Sequence, residues 1–308
     1  MNFNEAEVIR ALSSVFATPD VRVLVGIGDD AAVVAPLGNV VVTTDMAVQD
    51  VHFRLDWSSA YDIGRKITVA NLADIYAMGA DPTHLILALS LTGDESMEWI
   101  LELARGITHE ADRVGASVVG GDLARSSNIT IAMTALGSVL TPIRRSGASA
   151  FEKIYLSSLP GWSAAGLSIL QRGANVSTLP PTAKIALEKF RSPLLDVERA
   201  HNFRSATSMC DISDSLMTQG EQMAHASQCA FRLDRTLFEN HQDFEPLIEL
   251  ASEMSLDVWD WILGGGEDHV FMATGKNLEG LHVGEIEEGI GLHILGMKKA
   301  PDTWRHFT

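Results

Sequence analysis

The stretch VRVLVGIGDDAAVV, residues 21–34, decides how the rest of the chain is interpreted. Two β-branched runs flank a glycine-containing turn in which Asp29 and Asp30 stand side by side. Adjacent carboxylates repel each other unless a positive charge lies between them, and a hard divalent cation suits such oxygen ligands. An ordinary acidic hairpin turn has the same composition, because Asp and Gly are common turn residues. The stretch therefore indicates either a turn or a cation site.

The same acidic pattern recurs further along the chain, and this recurrence favours the cation site. An apolar run leads into Gly, Ser or Thr and then Asp in VVTTD (41–45), VVGGD (118–122), MCDISD (209–214) and LGGGED (263–268). The oxygen-bearing side chains at these positions and on a nearby predicted helix are Asp29, Asp30, Thr43, Thr44, Asp45, Asp74, Asp122, Asp211 and Asp214. Carboxylates and hydroxyls without cysteine suit Mg²⁺, which binds through a few carboxylates and substrate phosphates.

A dinucleotide-binding turn is the alternative for the first stretch. Gly26, Gly28 and Ala31 fit the G-x-G-x-x-G/A fingerprint after a strand-like run. That fingerprint requires a helix N-terminus facing a pyrophosphate, whereas AAVVAP is extended in character and is closed by Pro36. Carboxylates at the variable positions would also repel the pyrophosphate, so the sequence disfavours a Rossmann fold.

The composition describes a soluble globular protein with a strong charge bias. Hydrophobic residues make up 46% of the 308 residues and charged residues 20%, and this length favours about two domains. The chain has 23 Lys and Arg residues against 40 Asp and Glu residues, a formal net charge of −17. Since nucleic-acid binding depends on neutralising phosphates with basic side chains, we expect no nucleic-acid partner. A small anionic substrate remains compatible if metal ions reverse the local charge.

Cysteine usage and hydropathy predict a cytoplasmic location. Cys210 and Cys229 are too few for a disulfide framework or a zinc cluster, so we expect them to be packing residues in a reducing compartment. The N-terminus lacks the basic region of a signal peptide. The longest apolar run, LILALSL (85–91), is far too short to span a bilayer, so we expect no membrane partner.

Hydrophobic periodicity predicts an α+β chain of two domains. Helices are predicted at 5–16, 60–78, 95–114, 162–173, 181–190, 194–204, 214–230 and over most of 236–254. Strands are predicted at 21–25, 31–35, 40–44, 84–91, 128–140, 153–158, before Ser213, and at 231–235, 266–274, 282–286 and 291–296. Ser213 is predicted to cap the helix that begins at Asp214. A break at 141–150 separates the predicted domains, 1–142 and 150–308.

Motifs of several common catalytic classes are missing from the sequence. The chain has no GxxxxGK[ST] loop, no HRD or DFG set, no GxSxG elbow and no HExxH pair. His52, in DVHF, stands beside an acidic residue, and a structural role is the simpler interpretation of it. The oxygen-rich set that remains predicts phosphoryl transfer on several magnesium ions.

Eight motifs then give a family resemblance. They are GIGDDAAVV, VVTTD followed by VHF, TVANLADIYAMGADP, VVGGD, RRSGA, DISD followed by Leu216, GGGED and the tail TWRHF. In this order, from Gly26 to Phe307, they resemble the thiamine-monophosphate kinase family of the aminoimidazole ribonucleotide synthetase superfamily. The resemblance implies an N-terminal α/β domain that forms a barrel across a homodimer, followed by a C-terminal α+β domain. It also implies that ATP and thiamine monophosphate react on several Mg²⁺ ions to give ADP and thiamine diphosphate.

The resemblance also implies roles for individual residues. The implied magnesium ligands are Asp30, Asp45, Asp74, Asp122, Asp211 and Asp214, assisted by Thr43 and Thr44, with Asp29 beside Asp30. The implied ATP contacts are Gly121, Asp122, Arg145 and Ser213, and the implied substrate contacts are His52, Glu267 and Trp304. The phosphate acceptor is already anionic at neutral pH, so no general base is required. Arg145 and the metal ions would hold the two anions in line.

Four positions depart from the family pattern and keep other functions open. The usual Thr, Gly, Tyr and Asp are replaced by Leu123, Ser215, His269 and Arg305. One alternative is another ATP-dependent enzyme of the superfamily, such as an aminoimidazole ribonucleotide synthetase. A selenophosphate synthetase would need an N-terminal Cys, and a hydrogenase-maturation enzyme a Cys-bearing tail, whereas this chain has neither. The other alternative is a non-catalytic nucleotide-binding regulatory protein.

Overall fold

A computed structural model describes residues 4–17, 19–27, 31–35, 37–174, 176–297 and 301 of the 308-residue chain. The predicted site residues Asp30 and Trp304, the neighbouring Asp29 and the departure Arg305 lie outside the described residues. Within the described ranges, no helix has the length and apolar character that crossing a membrane would need.

The chain divides into two compact units. Unit 1 comprises Met1–Tyr76 and Ala80–Thr141, and unit 2 comprises Ala77–Gly79 and Pro142–Thr308. The division falls after Thr141, beside the stretch in which the sequence predicts a boundary. That each unit is an independently folding domain stays a prediction.

Unit 1 is an α/β arrangement. Its elements are α1 (Glu5–Val15), β1 (Val23–Val25), β2 (Val33–Val34), β3 (Asn39–Val48), α2 (Ala60–Ala77), β4 (Asp81–Leu91), α3 (Met97–Arg113), β5 (Ser117–Arg125) and β6 (Thr130–Val139). β1 and β2 form an antiparallel pair, as the two β-branched runs predict. In the described part of the unit, the other strands form a four-stranded sheet in the order β3-β6-β4-β5. Its first two pairings are antiparallel, and β4 and β5 are parallel.

Helix α2 crosses α3 at a close contact between two glycines. A Cβ on Gly64 would lie 2.2 Å from the carbonyl oxygen of Leu103, and one on Gly106 would lie 2.1 Å from that of Tyr61. Any larger residue at either position would push the helices apart. Ile100, Leu103 and Ile107 are buried at helical spacing on α3. The periodic pattern of the sequence therefore predicts this helix correctly.

The two faces of the four-stranded sheet differ in burial. On one face, Met133 of β6 and Leu87 of β4 are 0% and 5% exposed, and Ile75 of α2 would meet a Cβ on Gly137 at 2.4 Å. Helix α2 therefore covers this face. On the other face, Val42 and Met46 of β3 are 61% and 57% exposed. Alternation along a strand places successive residues on opposite faces, so the position of each site residue in β3 fixes its surroundings.

Unit 2 is an α+β arrangement around one larger sheet. Its elements are β7 (Lys153–Leu156), α4 (Trp162–Gln171), a 3₁₀ turn (Val176–Thr178), α5 (Pro181–Arg191), α6 (Val197–Asn202), a second 3₁₀ turn (Phe203–Ser205), β8 (Ser208–Ile212), α7 (Leu216–Ser227), β9 (Ala230–Asp234), α8 (Arg235–Phe238), α9 (Phe244–Glu253), α10 (Val258–Gly264), β10 (Val270–Gly275), β11 (Leu281–Glu287) and β12 (Gly291–Leu295). Among the described residues the sheet has six strands in the order β12-β9-β11-β7-β10-β8. β12 and β9 are parallel, and the other pairings are antiparallel.

The structure differs from the sequence prediction at three places in unit 2. Helix α7 begins at Leu216 instead of Asp214, because Ser215 and not Ser213 accepts the capping hydrogen bond from the Thr218 amide. The predicted strand 266–274 begins only at Val270, and residues 266–269 belong to a loop. Helix α10 is absent from the sequence prediction, although Asp257 caps it by accepting from the Trp259 amide.

Two further helix boundaries in unit 2 differ from the predicted ones by smaller amounts. The predicted helix over 236–254 is interrupted between α8 and α9. Helix α7 stops at Ser227 because the chain turns through Gln228, which has a left-handed φ of 54°, to enter β9. Neither Cys210 nor Cys229 forms a disulfide, and Cys210 is buried in the unit 2 core.

Candidate functional site

In unit 1, strand β3 and helix α2 bring two predicted magnesium ligands into direct contact. The Thr43 hydroxyl donates a hydrogen bond to the Asp74 carboxylate with an Oγ1–Oδ2 distance of 2.6 Å. Asp74 lies three residues after the fully buried Asn71 on α2, so its helix face is directed toward the sheet. Both side chains are only partly exposed. The contact joins residues that are 31 positions apart in the sequence.

Asp45 lies on the same face of β3 as Thr43. It stands two residues further along the strand, and strand alternation returns every second side chain to one face. Asp45 pairs with Met133, which pairs in turn with Leu87 on β4. Met133 and Leu87 are both buried beneath the helices. Thr43, Asp45 and Asp74 therefore form one oxygen-bearing group at the helix-covered face of the sheet.

Thr44 and Asp122 lie on the opposite face. The Thr44 hydroxyl donates to the Met133 carbonyl at 3.0 Å and also contacts the Thr134 hydroxyl at 3.2 Å. Asp122 pairs with Ala88 on β4, one position beyond the row that contains Asp45. β3 and β5 are the two edges of the sheet, about 14 Å apart across three strand spacings. Within one chain, Asp122 is therefore separate from the Thr43, Asp45 and Asp74 group.

Gly121 allows β4 and β5 to approach closely next to Asp122. A Cβ at this position would lie 2.0 Å from the carbonyl oxygen of Leu87, which no side chain could tolerate without displacing the strand. A Cβ on the preceding Gly120 would meet nothing within 4 Å. The second glycine of the VVGGD motif therefore has a steric role in this fold, whether or not it also contacts a nucleotide.

His52 lies in the turn that follows β3. Its backbone amide donates to the Val48 carbonyl at 2.9 Å, and its Nδ1 accepts from the Val48 amide at 3.1 Å. Since a backbone amide can only donate, Nδ1 carries no proton and the ring proton is on Nε2. The half-buried ring is thus held in one tautomer by its own turn.

The donor set of the Thr43, Asp45 and Asp74 group fits magnesium. It offers two carboxylates and a hydroxyl, all oxygen donors, and no thiol or imidazole. In the described ranges, no three His, Cys, Asp or Glu side chains are grouped closely enough to hold a metal by themselves. Mg²⁺ typically binds through one or two carboxylates and completes its coordination with water and substrate phosphates, so the group suits this ion.

In unit 2, Asp211 lies at the end of β8 and is almost fully buried. Its side chain is 3% exposed, and its Oδ2 lies 3.3 Å from Nδ1 of His269, whose side chain is 6% exposed. Burying a carboxylate is costly unless it is hydrogen-bonded or bound to a cation. His269, one of the four departures from the family pattern, supplies such a partner.

The turn after β8 is organised by a glutamine that the sequence analysis missed. Gln219 is 1% exposed, and its Nε2 donates to Asp214 Oδ2 at 2.9 Å and to Ser213 Oγ at 3.1 Å. Its Oε1 accepts from the Ser215 amide at 3.0 Å. The capping-box signal places Gln three residues after the capping Ser, whereas Gln219 lies four residues after Ser215, so the sequence gives no such signal here. Through its hydrogen bonds, Gln219 fixes the orientation of Asp214.

The loop 265–269 lies directly against this turn. The Glu267 amide donates to the Ser213 carbonyl at 2.7 Å, and the His269 amide donates to the Ile212 carbonyl at 3.2 Å. A Cβ on Gly266 would lie 2.3 Å from the Ser213 carbonyl oxygen. Unit 2 therefore brings the predicted substrate contact Glu267 beside Ser213, a predicted ATP contact.

Arg145 is exposed and is linked to helix α7. Its Nη1 donates to Gln222 Oε1 at 2.7 Å, and its carbonyl accepts from the Ser227 hydroxyl at 3.2 Å. The backbone of Arg145 is thus fixed while its guanidinium stays at the surface of the unit. An exposed guanidinium can bind phosphate oxygens through two parallel N–H groups.

The sequence of the N-terminal half first defines the class of protein. Residues 28–139 match the family described as AIR synthase related protein, N-terminal domain. The α+β fold of the chain agrees with a solved thiamine-monophosphate kinase from Stenotrophomonas maltophilia, with a TM-score of 0.82 and 30% identity over 95% of this chain and 96% of that one. The fold class is therefore that of the AIR synthase-related proteins.

Sequence similarity over nearly the whole chain then gives the family. The thiamine-monophosphate kinase of Corynebacterium glutamicum is 35% identical over 295 residues, which cover 91% of this chain and 88% of the relative. The chain belongs to the thiamine-monophosphate kinase family. A solved complex of AaThiL with AMPPCP and TMP has the same fold, with a TM-score of 0.81 and 23% identity over 99% of this chain and 98% of that one.

Proposed function

We propose that the protein transfers the γ-phosphoryl group of ATP to thiamine monophosphate and forms thiamine diphosphate by direct in-line transfer. The observation that carries this proposal is the 35% identity to a thiamine-monophosphate kinase over 91% of the chain, which includes both units. The complex of AaThiL with AMPPCP and TMP supports the same pair of substrates.

Magnesium is part of the proposal. Thr43, Asp45 and Asp74 in unit 1, and Asp211 and Asp214 in unit 2, are the described side chains that would hold it. Asp30 and Asp122 are proposed ligands from the family resemblance, and Thr44 would assist. When bound, Mg²⁺ would neutralise the phosphate charge that develops during phosphoryl transfer.

The remaining site residues of the chain bind and orient the substrates. Gly121, Asp122, Arg145 and Ser213 would contact ATP, and His52, Glu267 and Trp304 would contact thiamine monophosphate. The accepting phosphate oxygen is already anionic, so the chain needs no general base. Arg145, whose backbone is fixed and whose guanidinium is exposed, would reduce the repulsion between the two phosphate-bearing substrates.

We further propose that the protein is a cytoplasmic homodimer whose N-terminal units form a barrel together. The open face of the four-stranded sheet supports this, because Val42 and Met46 are 61% and 57% exposed there. Exposed apolar residues on a sheet face are typical of a surface that another element covers. Cysteines that form no disulfide support a reducing compartment.

The test is ADP release with ATP and Mg²⁺ in the presence of thiamine monophosphate, thiamine, or no acceptor. We expect ADP release to depend on thiamine monophosphate and the product to have the mass of thiamine diphosphate. A protein that binds ATP but releases no acceptor-dependent ADP would contradict the proposed reaction. That result would favour the non-catalytic nucleotide-binding alternative.

A further inference from the structure

The loop that carries Glu267 is held in an unfavourable backbone conformation. Glu267 has a φ of 62° and His269 a φ of 51°, so two non-glycine residues on either side of Asp268 adopt left-handed conformations. Residues other than glycine rarely adopt this region, and they remain in it only where surrounding contacts enforce it. Tertiary contacts must therefore hold Glu267 and His269 in this conformation.

The carboxylate of Asp268 supplies that constraint. It accepts hydrogen bonds from the amides of Gly161 at 2.7 Å and Ser163 at 2.9 Å, which lie 107 and 105 residues away in the sequence. These amides begin helix α4, whose N-cap Gly161 has no side chain to satisfy them. The favourable charge at a helix N-terminus strengthens both bonds. The Asp268 carboxylate thus caps the ten-residue helix α4 and connects the loop to it.

The other side of the loop is fixed to the turn after β8. The Glu267 amide donates to the Ser213 carbonyl at 2.7 Å. Gly266 lies so close to this carbonyl that a Cβ would be 2.3 Å from it. The loop is therefore fixed on two sides. The Asp268 carboxylate binds the first amides of α4, and the Glu267 amide binds the carbonyl of Ser213.

We propose that Asp268 is a positioning residue for the phosphate acceptor, which acts by holding Glu267 in its left-handed conformation next to Ser213. The inference rests on the proposed function, because Glu267 is a proposed contact of thiamine monophosphate. The Asp268 carboxylate itself is directed to the α4 amides and would act through Glu267. Its loss would release the Glu267 backbone, since a left-handed residue returns to its preferred conformation when a constraint is removed.

A purely structural capping role makes a different prediction. A helix cap stabilises its helix, and its removal would lower stability without affecting one substrate more than the other. Asp196 is the matched control, because its carboxylate caps helix α6 by accepting from the Arg199 amide at 2.9 Å. Helix α6 carries no proposed site residue.

The experiment compares Asp268→Ala, Asp268→Asn and Asp196→Ala with the wild type at a temperature at which all are folded by circular dichroism. For Asp268→Ala we expect the KM for thiamine monophosphate to rise about tenfold or more, with less than about a twofold change in the KM for ATP. Asp268→Asn keeps one acceptor oxygen and should give an intermediate KM. Asp196→Ala should lower the melting temperature and leave both KM values unchanged. Equal changes in both KM values, or none, would overturn the proposal.

Hydrogen exchange separates a failure of this inference from a failure of the proposed function. In Asp268→Ala and Asp268→Asn, the amides of 161–163 and 266–269 should exchange faster, while the α6 region should not change. This readout needs no activity. If the wild type does not phosphorylate thiamine monophosphate, the proposed function fails, and unchanged exchange in the loop would independently refute the anchoring role of Asp268.

Discussion

The Thr43 hydroxyl donates a 2.6 Å hydrogen bond to the Asp74 carboxylate and so joins the edge strand of the unit 1 sheet to the helix that covers it. Two acidic motifs that are separate in the sequence, VVTTD and the helix containing ANLAD, thereby meet at one place. Asp45 projects from the same face of the strand. This group is a part of the proposed magnesium site that unit 1 would contribute.

Thr43→Val should impair both stability and catalysis, because it removes the hydroxyl that donates to the partly buried Asp74 carboxylate. We expect the free energy of unfolding to fall by about 1–2 kcal/mol. We also expect kcat/KM to fall at least about tenfold, since a carboxylate that binds a metal must be oriented by its neighbours. Urea unfolding and steady-state kinetics measure the two effects.

Two further variants control for this effect. Thr83→Val removes a hydroxyl that donates to the Leu136 carbonyl at 3.0 Å in the same unit. It should lower the free energy of unfolding by a similar amount and leave the activity unchanged. Thr43→Ser keeps the donor and should restore most of the activity. If Thr43→Val and Thr83→Val had the same kinetic constants, Thr43 would have only a structural role.

Gly121→Ala should destabilise unit 1 strongly, and Gly120→Ala should not. A Cβ on Gly121 would lie 2.0 Å from a backbone oxygen, so strand β4 or β5 must move, at a cost of about 2 kcal/mol or more. The neighbouring Gly120 has open space, and its replacement should change stability by no more than about 0.5 kcal/mol. Denaturant unfolding of both variants gives the comparison, and equal stability would contradict the close pairing of β4 with β5.

The stability of the protein should depend on pH through Asp268. Burial raises the pKa of Asp268 from 3.8 to about 6, against the lowering effect of the Gly161 and Ser163 amides. The folded state therefore retains a proton between these two values that the unfolded state releases, and the free energy of unfolding falls as pH rises through this range. Between pH 5.5 and pH 8, well above the isoelectric point of about 4.9, we expect a loss of about 1 kcal/mol from this group.

Asp268→Asn isolates this contribution, because asparagine does not titrate. The difference in unfolding free energy between wild type and Asp268→Asn should shift by about 1 kcal/mol in favour of the variant as pH rises from 5.5 to 8. Urea titrations at four pH values within this window would measure it. A difference that is independent of pH would mean that the pKa of Asp268 is the same in the folded and unfolded states.

Phe151→Gly should stabilise unit 2. Phe151 has a φ of 73° and is 85% exposed, so its side chain contributes little packing while its backbone is strained. Glycine adopts this conformation without strain, but its greater entropy in the unfolded state opposes folding. The net gain in the free energy of unfolding is expected to be about 0.5–1 kcal/mol. Ser149→Gly, at an exposed position without a left-handed φ, should instead lower stability by a similar amount. Thermal unfolding distinguishes the two.

Much of the fold is predictable because the periodic pattern of the sequence is strong. The burial of Ile100, Leu103 and Ile107 on α3 follows from their spacing, as does the strand pair on either side of the Gly26 turn. The order of the strands cannot be predicted in this way, because β3 pairs with β6 across an intervening 80 or more residues. Nothing local in either strand specifies that pairing.

The candidate site is less predictable than the fold, for two reasons. The sequence predicts the same role for Thr43 and Thr44, although strand alternation places them on opposite faces. Asp268 stands in a motif that resembles a strand start, and the helix amides that bind its carboxylate are more than 100 residues earlier in the sequence. Only the three-dimensional structure brings such partners together.

The departures from the family pattern also became interpretable only in the fold. Ser215, where glycine is usual, caps helix α7 by accepting from the Thr218 amide at 3.0 Å. His269, where tyrosine is usual, lies 3.3 Å from the buried carboxylate of Asp211. Each substitution thus supplies a polar contact beside the proposed site. Leu123 has no comparable explanation in the structure.

The most direct test of phosphoryl transfer to thiamine monophosphate uses ATP labelled with ¹⁸O in the γ-phosphoryl group, with thiamine monophosphate and Mg²⁺, and mass spectrometry of both products. We expect the label in the terminal phosphoryl group of thiamine diphosphate, in equal amount to unlabelled ADP, and we expect Asp45→Asn to form neither product. Labelled inorganic phosphate without thiamine diphosphate, or no consumption of ATP by the folded wild-type protein, would contradict this transfer.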